Sequence, residues 1–160
     1  MHIIGRTLAT VKFGVHKTHD TCRASLRTNG IKVSPWGEDL LNQIPLSQTP
    51  TDIDLIEFSV AELGFDTGSR YDRICDRIKE RDFDRCPAEA AVMLRESYKN
   101  QPMKETLIVA MEALTDVAER PLLFGIAHDE VGLWLYTRYG YPDYLYHPKD
   151  RFVVARRKQT

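Results

Sequence analysis

The sharpest catalytic pattern in the sequence is RCPAEAAVMLRESY, residues 85 to 98, in which Cys86 stands just before a predicted helix. A thiol at a helix N-terminus faces unpaired backbone N–H groups and the positive end of the helix dipole, and both lower its pKa. The proline that follows and Glu89 in the first turn are also the ordinary pattern of a helix start. A catalytic cysteine needs a base, and His128 and His147 could approach it only through an unknown fold. The pattern therefore favours a structural helix start over a nucleophile.

A second pattern, RYGYPDYLYHPKD at 138 to 150, places aromatic rings and cations between two predicted strands. Exposed aromatics beside cations can stack on bases or anchor a protein partner. Alternatively, the rings fold back over one end of the core and the prolines shape a loop. Both interpretations stay open, and the candidate binding residues are Arg138, Tyr139, Tyr141, Tyr144, Tyr146 and His147.

A possible metal site is formed by His16, His19 and Cys22, which follow one another at intervals of three. On one helical face they would offer zinc two imidazoles and a thiolate. The helix boundary predicted at 18 to 20 places His16 outside the helix and removes the common face. No metal site is therefore predicted.

A third cluster, His128, Asp129 and Glu130, falls at a predicted hairpin turn. Acid–base chemistry is conceivable there, although Asp in such turns chiefly supplies turn geometry. The sequence has no Gly-rich phosphate loop, H-E-x-x-H or G-x-S-x-G pattern, and no cofactor is expected.

The charges nearly cancel, with 22 Lys and Arg against 23 Asp and Glu. No field of the whole protein would gather nucleic acid, so such a partner is possible but not favoured. No apolar run reaches the roughly 20 residues of a membrane-spanning helix, and the start resembles no signal peptide. Three cysteines without a C-x-x-C pair indicate reduced thiols. We expect a soluble cytoplasmic protein without membrane contact.

The elements that must position these groups follow from periodicity and turn signals. An opening strand and two short helices precede a loop at 45 to 52, after which a strand and two amphipathic helices are predicted. The remaining strands are expected at 106–114, 121–128, 133–139 and 151–157. This order predicts a single α+β domain over 1–160 with a tail at 157–160. Its short N-terminal helices and two amphipathic helices pack on a mainly antiparallel sheet built largely from the C-terminal half.

Several segments, taken in order, are similar to a group of short uncharacterised bacterial proteins. They are SPWGEDLL, VAELGF, CPAEAAVMLRESYKNQP, LIVAMEAL and DRFVVARR. The resemblance covers most of the chain from Ser34 onward and implies a soluble bacterial protein with one α+β domain. It implies no activity and no catalytic residue.

The expected function is a non-catalytic binding or regulatory module for a macromolecular partner, either another protein or a second copy of the chain. The alternative is an enzyme of unfamiliar type, a hydrolase or nuclease. Its groups would come from Cys86 or from His128, Asp129 and Glu130, together with His147. An enzyme should hold these groups in a concave pocket, whereas a binding module should expose the tyrosine rings of 138 to 150.

Overall fold

The structure, a computed structural model, describes residues 5 to 157. Residues 1 to 4, and residues 158 to 160 of the predicted tail, lie outside the described residues. The helices of the described part are α1 (His19–Thr28), α2 (Pro35–Leu41), α3 (Tyr71–Glu80) and α4 (Ala88–Ser97). Its strands are β1 (Arg6–Phe13), β2 (Lys32–Val33), β3 (Thr51–Ser59), β4 (Ser69–Arg70), β5 (Phe83–Asp84), β6 (Thr106–Val109), β7 (Leu114–Thr115), β8 (Pro121–Asp129), β9 (Gly132–Tyr139), β10 (Leu145–Tyr146) and β11 (Arg151–Arg156).

Most of these strands form one large, curled and mostly antiparallel sheet, so the predicted α+β class is confirmed. The strand order is β1-β3-β11-β6-β8-β9-β2, with β5 added beside β11 and β7 beside β8. Two pairs are parallel, namely β6 with β11 and β2 with β9. The strands β4 and β10 form a separate two-stranded sheet.

The N-terminal half contributes more to this sheet than its helical patterns suggest. β1 and β3 pair in antiparallel register from Arg6 opposite Glu57 to Phe13 opposite Thr51. β3 then pairs with β11 on its other side, with Phe58 opposite Phe152. The predicted loop at 45 to 52 is shortened because β3 already begins at Thr51. Helices and strands alternate in the first part of the described chain, up to α4, and only strands follow. The last of them, β11, lies in the sheet between β3 and β6.

The two N-terminal helices begin where their capping residues predict. The Thr18 hydroxyl accepts the backbone N–H of Thr21 at 3.1 Å, and the Ser34 hydroxyl accepts that of Gly37 at 3.2 Å. Each bond satisfies one of the N–H groups that have no partner inside a helix. Gly30, with a φ of +70°, reverses the chain after α1 at low conformational cost.

The start of α3 differs from the sequence expectation. The spacing of Ser69 and Asp72 predicts a capping pair at this helix start, but this prediction is wrong: Ser69 lies in β4 and pairs with β10, and α3 has no side-chain cap. The first N–H groups of α3 instead bond to carbonyls of the tyrosine-rich segment. Tyr71 N donates to Tyr144 O at 3.0 Å, and Asp72 N donates to Pro142 O at 2.9 Å. This segment is therefore fixed against the helix start.

Helix α4 packs its buried side against β1, β8 and β9. Its Arg95 is fully buried, and burial lowers the pKa of this guanidinium to about 10. The guanidinium donates to Gln101 Oε1 and Tyr98 O, both at 2.6 Å, and to Ala127 O at 3.2 Å. These bonds tie the C-terminal end of α4 to β8.

Candidate binding surface

The tyrosines of residues 138 to 150 form a connected group of rings. Tyr139 lies 5.6 Å from Tyr141 and 5.5 Å from Tyr144, measured between ring centroids, and Tyr144 lies 4.9 Å from Tyr146. Trp36 of α2 joins from the other side, 6.1 Å from Tyr139. These distances are in the range in which aromatic pairs attract one another. The rings therefore support each other from the surface down to the core.

Tyr146 is the buried end of this group. Its side chain is 2% exposed, its hydroxyl donates to the carbonyl of Tyr139, and its ring meets that of Phe152 at 5.0 Å. Burial raises the pKa of the Tyr146 hydroxyl. A binding module should expose this ring, but β10 turns it into the space between α3 and β11, so Tyr146 itself gives the binding interpretation no support. Tyr146 is a core residue that positions the others.

The outer end of the group is open to solvent. Tyr141 is 38% exposed and Leu145 is 73% exposed, whereas Trp36, Tyr139 and Tyr144 are half-buried. We call these five residues the aromatic surface. Its rings are fixed in position, and aromatic side chains are enriched in protein-binding sites.

A cation borders the aromatic surface. The guanidinium carbon of Arg120 lies 3.9 Å from the ring centroid of Trp36, a cation–π contact. Asp116 fixes Arg120, with Oδ2 accepting from Nε at 2.7 Å and Oδ1 from the backbone N–H at 2.8 Å. Arg120 and its hydrogen bonds lower the pKa of the Asp116 carboxyl against the effect of desolvation. This arrangement was missed from the sequence, because Trp36 and Arg120 are far apart in the chain.

The other two candidate binding residues, Arg138 and His147, contact the turn before β11. The backbone N–H of His147 donates to Asp150 Oδ2 at 2.9 Å, and its Nδ1 accepts from Lys149 N at 3.1 Å. Arg138 lies over the Tyr146 ring at 5.2 Å and 3.8 Å from Asp150 Oδ2. His147 is exposed, and its hydrogen bonds stabilise the turn. Among the described residues, no side chain forms a hydrogen bond with His147 inside a pocket.

Cys86 does not have the environment of a nucleophile. Its side chain is buried, its Sγ lies 3.6 Å from Val153 O, and burial raises the pKa of the thiol. Pro87 is the N-cap of α4, so Cys86 precedes the helix by one position more than the sequence pattern suggests. The thiol therefore stays protonated at neutral pH and packs as an apolar group.

In the cluster of His128, Asp129 and Glu130, the hydrogen bonds of the first two side chains stabilise the hairpin and its neighbouring segment. Asp129 Oδ1 accepts the N–H groups of Val131 and Gly132 and the indole N–H of Trp134, at 2.9, 3.1 and 2.9 Å. His128 Nδ1 lies 2.7 Å from the carbonyl of Gln101. Among the described residues no hydrogen bond or ion pair joins this turn to His147.

The three residues of the possible metal site lie in different surroundings. His16 precedes α1 and its Nε2 lies 3.3 Å from Glu96 Oε1, while His19 Nε2 lies 2.8 Å from the carbonyl of Ile44. Cys22 is buried, which raises the pKa of its thiol to about 11. The described part of the chain contains no group of three or more His, Cys, Asp or Glu side chains placed to hold a metal ion.

A groove next to the aromatic surface was also missed from the sequence. One cavity of about 440 Å³ includes Tyr71, Gly140 and Pro142, and a second of about 640 Å³ includes Pro45 and Leu114. Both are lined by Lys79, Arg85, Glu112 and Ala113, so they are two parts of one groove. Its first part adjoins the Tyr141 end of the aromatic surface.

Comparison with known proteins adds no assignment. No family model matches the chain, and no curated protein or solved structure is significantly similar to it. The resemblance to short bacterial proteins therefore stays a prediction. Within residues 5 to 157, no helix is both long enough and apolar enough to span a membrane.

Proposed function

We propose that the protein is a non-catalytic binding module whose partner is another protein, held at the aromatic surface. The observation that carries this proposal is the connection of the exposed Tyr141 ring, through Tyr139 and Tyr144, to the buried Tyr146. Rings that are already fixed lose little conformational entropy when a partner covers them. Such anchors carry much of the energy of protein interfaces.

We further propose that the module acts in the bacterial cytoplasm. The resemblance supports a bacterial source, and the three free cysteines are compatible with a reducing compartment. The near-neutral charge favours a protein over nucleic acid. A second copy of the chain remains one form that the protein partner can take.

The test is capture from a bacterial lysate, with and without nuclease treatment, on immobilised wild-type protein and on two double variants. Tyr141→Ser with Leu145→Ser removes the exposed part of the aromatic surface. Met103→Ser with Val131→Ser is the matched control, since both side chains are exposed hydrophobics outside it. We expect a protein retained near one-to-one on wild type and control, and at least about tenfold less on the surface variant.

Three results would refute the proposal. Equal retention on all three proteins, or no stoichiometric partner together with a monomeric mass by sedimentation, would remove the aromatic surface as a binding site. If the captured material is lost after nuclease treatment, the partner is nucleic acid and not a protein. A dimer that dissociates only in the surface variant would identify the partner as a second copy.

A further inference from the structure

The large sheet divides in two beside the groove. β6 and β11 run in parallel, with Phe152 opposite Ile108 and Val153 opposite Val109. Beyond that point β11 pairs with β5 instead of β6, and β8 pairs with β7. The N–H of Cys86 donates to the carbonyl of Ala110 at 2.6 Å, where the two arms separate. Each arm thus ends in a two-residue strand whose second edge has no strand beside it in residues 5 to 157.

The groove lies between these two arms. One wall comprises the segment from Asp84 to Ala88, which includes the end of β5, and the other comprises Glu112 to Leu114, at the start of β7. Each of its two parts has a volume within the range of about 300 to 1,000 Å³ that is typical of ligand sites. The space is therefore bounded on both sides by backbone that is extended or irregular.

Backbone groups on both walls are free to bond. Arg85 on one wall, and Glu112 and Ala113 on the other, form no backbone hydrogen bond with any described residue. An extended peptide presents N–H and C=O groups alternately on both of its edges. It could therefore satisfy both walls at once, as when a peptide adds to the edge of a sheet.

We propose that this groove binds an extended peptide segment of the partner protein as an added strand between β5 and β7. The inference rests on the proposed function, since it specifies how the protein partner is held. The segment would pass from the Pro45 end to the Gly140 end of the groove and leave it beside Tyr141. The aromatic surface and the groove then form one continuous binding site.

Charges of both signs line the groove, since its walls contain Asp72, Asp76, Asp84 and Glu112 as well as Lys79 and Arg85. Two of the carboxylates, Asp72 and Asp84, pair with Arg70 and Arg157. Lys79 and Arg85 line it and form no ion pair with another described residue. Cys75 and Lys79 of α3 line the same part of the groove as Arg85. Side chains of an added strand alternate between the two faces of the sheet. Those facing Lys79 and Arg85 are expected to be acidic.

Part of the lining of this half of the groove is apolar. Pro45, Pro87 and Ala88 line it, together with Leu114. Peptide side chains that point there are expected to be aliphatic or aromatic. The preferred segment is thus an alternation of acidic and apolar residues.

The test begins with a phage-displayed library of random dodecapeptides selected on the wild-type protein. Enriched peptides are synthesised, and their affinity is measured by fluorescence anisotropy. Lys79→Glu with Arg85→Glu reverses the charge of the groove, and Arg27→Glu with Lys99→Glu applies the same charge change at exposed sites outside it. We expect alternating acidic and apolar peptides that bind at least about tenfold more weakly to the groove variant than to wild type or control.

Amide hydrogen exchange of the complex supplies a readout specific to strand addition. Consecutive N–H groups of an extended wall point to opposite edges, so the N–H of Arg85 and that of one of Glu112 and Ala113 are expected to become protected when peptide binds. The absence of any enriched peptide, equal affinity for the groove variant and the control, or unprotected amides at these residues would each overturn the inference. Lysate capture separates the two proposals. A partner lost from the Tyr141→Ser/Leu145→Ser protein but retained by the groove variant would leave the proposed function standing and reject strand addition.

Discussion

Replacement of Glu89 tests whether a buried carboxylate fastens the first half of the chain to α4. The side chain is 1% exposed. Its Oε2 accepts the backbone N–H of Gly14 at 2.8 Å, and its Oε1 accepts that of Ser47 at 2.9 Å. One residue of α4 thereby holds both the end of β1 and the loop before β3.

The expected loss of stability follows from these two bonds. In Glu89→Gln one oxygen remains, but the amide NH₂ faces the second N–H and leaves it unpaired, which costs about 1–3 kcal/mol. In Glu89→Ala both donors lose their partner, and the loss rises to about 2–6 kcal/mol. Glu38→Gln is the control, since Glu38 pairs with Arg23 on the surface, where an ion pair contributes about 0–1 kcal/mol.

Urea denaturation at neutral pH measures these differences in the free energy of unfolding. The midpoint should shift while the m-value stays constant, because the same surface is exposed on unfolding. Thermal melting should show a loss of about 2–4 °C for each kcal/mol in a chain of this size. If Glu89→Gln is no less stable than Glu38→Gln, the two N–H groups do not depend on the carboxylate and the reasoning fails.

Three further results are expected. Tyr71→Phe removes a hydroxyl that donates to Met111 O at 2.5 Å and accepts from Met111 N–H at 3.0 Å. The variant should therefore lose about 1–3 kcal/mol of unfolding free energy, measured by urea denaturation. An unchanged urea midpoint would contradict this. Cys75 is the least buried of the three thiols, and a disulfide reagent should modify it alone in the native protein, although burial raises its pKa and slows the reaction. Cys75→Ser should abolish the native reaction, and a persisting fast thiol would show that a buried cysteine is accessible. The hydrogen bond from the Trp134 indole lowers the pKa of the Asp129 carboxyl, so this bond should persist as pH falls through the ordinary Asp range and break only below it. An NMR titration of the indole N–H chemical shift measures this. A titration midpoint at or above about 3.9 would contradict the expectation.

Local signals in the sequence were sufficient for most of the elements. Ser34 predicts the start of α2, and Thr18 or Asp20 that of α1, because a cap depends only on residues within one turn. The apolar runs of β8, β9 and β11 predict strands because burial of a strand shows in its own side chains. The α+β class follows from these elements taken together.

The structural features that could not be predicted from the sequence depend on contacts between segments that are distant in the chain. The burial of Glu89 is decided by Gly14 and Ser47, and without them a glutamate in the first turn indicates an ordinary exposed helix start. The start of α3 is displaced by carbonyls of residues 142 and 144, which no capping rule contains. The aromatic surface was predicted in part, but Trp36 reaches it only through the fold. The groove arises from the change of partner along β11, which leaves no mark in the composition of that strand.

The position of β11 sets an order for synthesis on the ribosome. Residues 151 to 156 lie between β3 and β6, so the two sides of the sheet are joined only by the segment that is translated last among the described strands. Until this segment leaves the exit tunnel, β3 and β6 each present an open edge, and unpaired edges invite aggregation. A nascent chain halted before residue 151 should therefore hold the β1–β3 pair and the β6–β8–β9 meander without a strand between them, although α4 packs against both. The continuous sheet would form only after β11 leaves the tunnel.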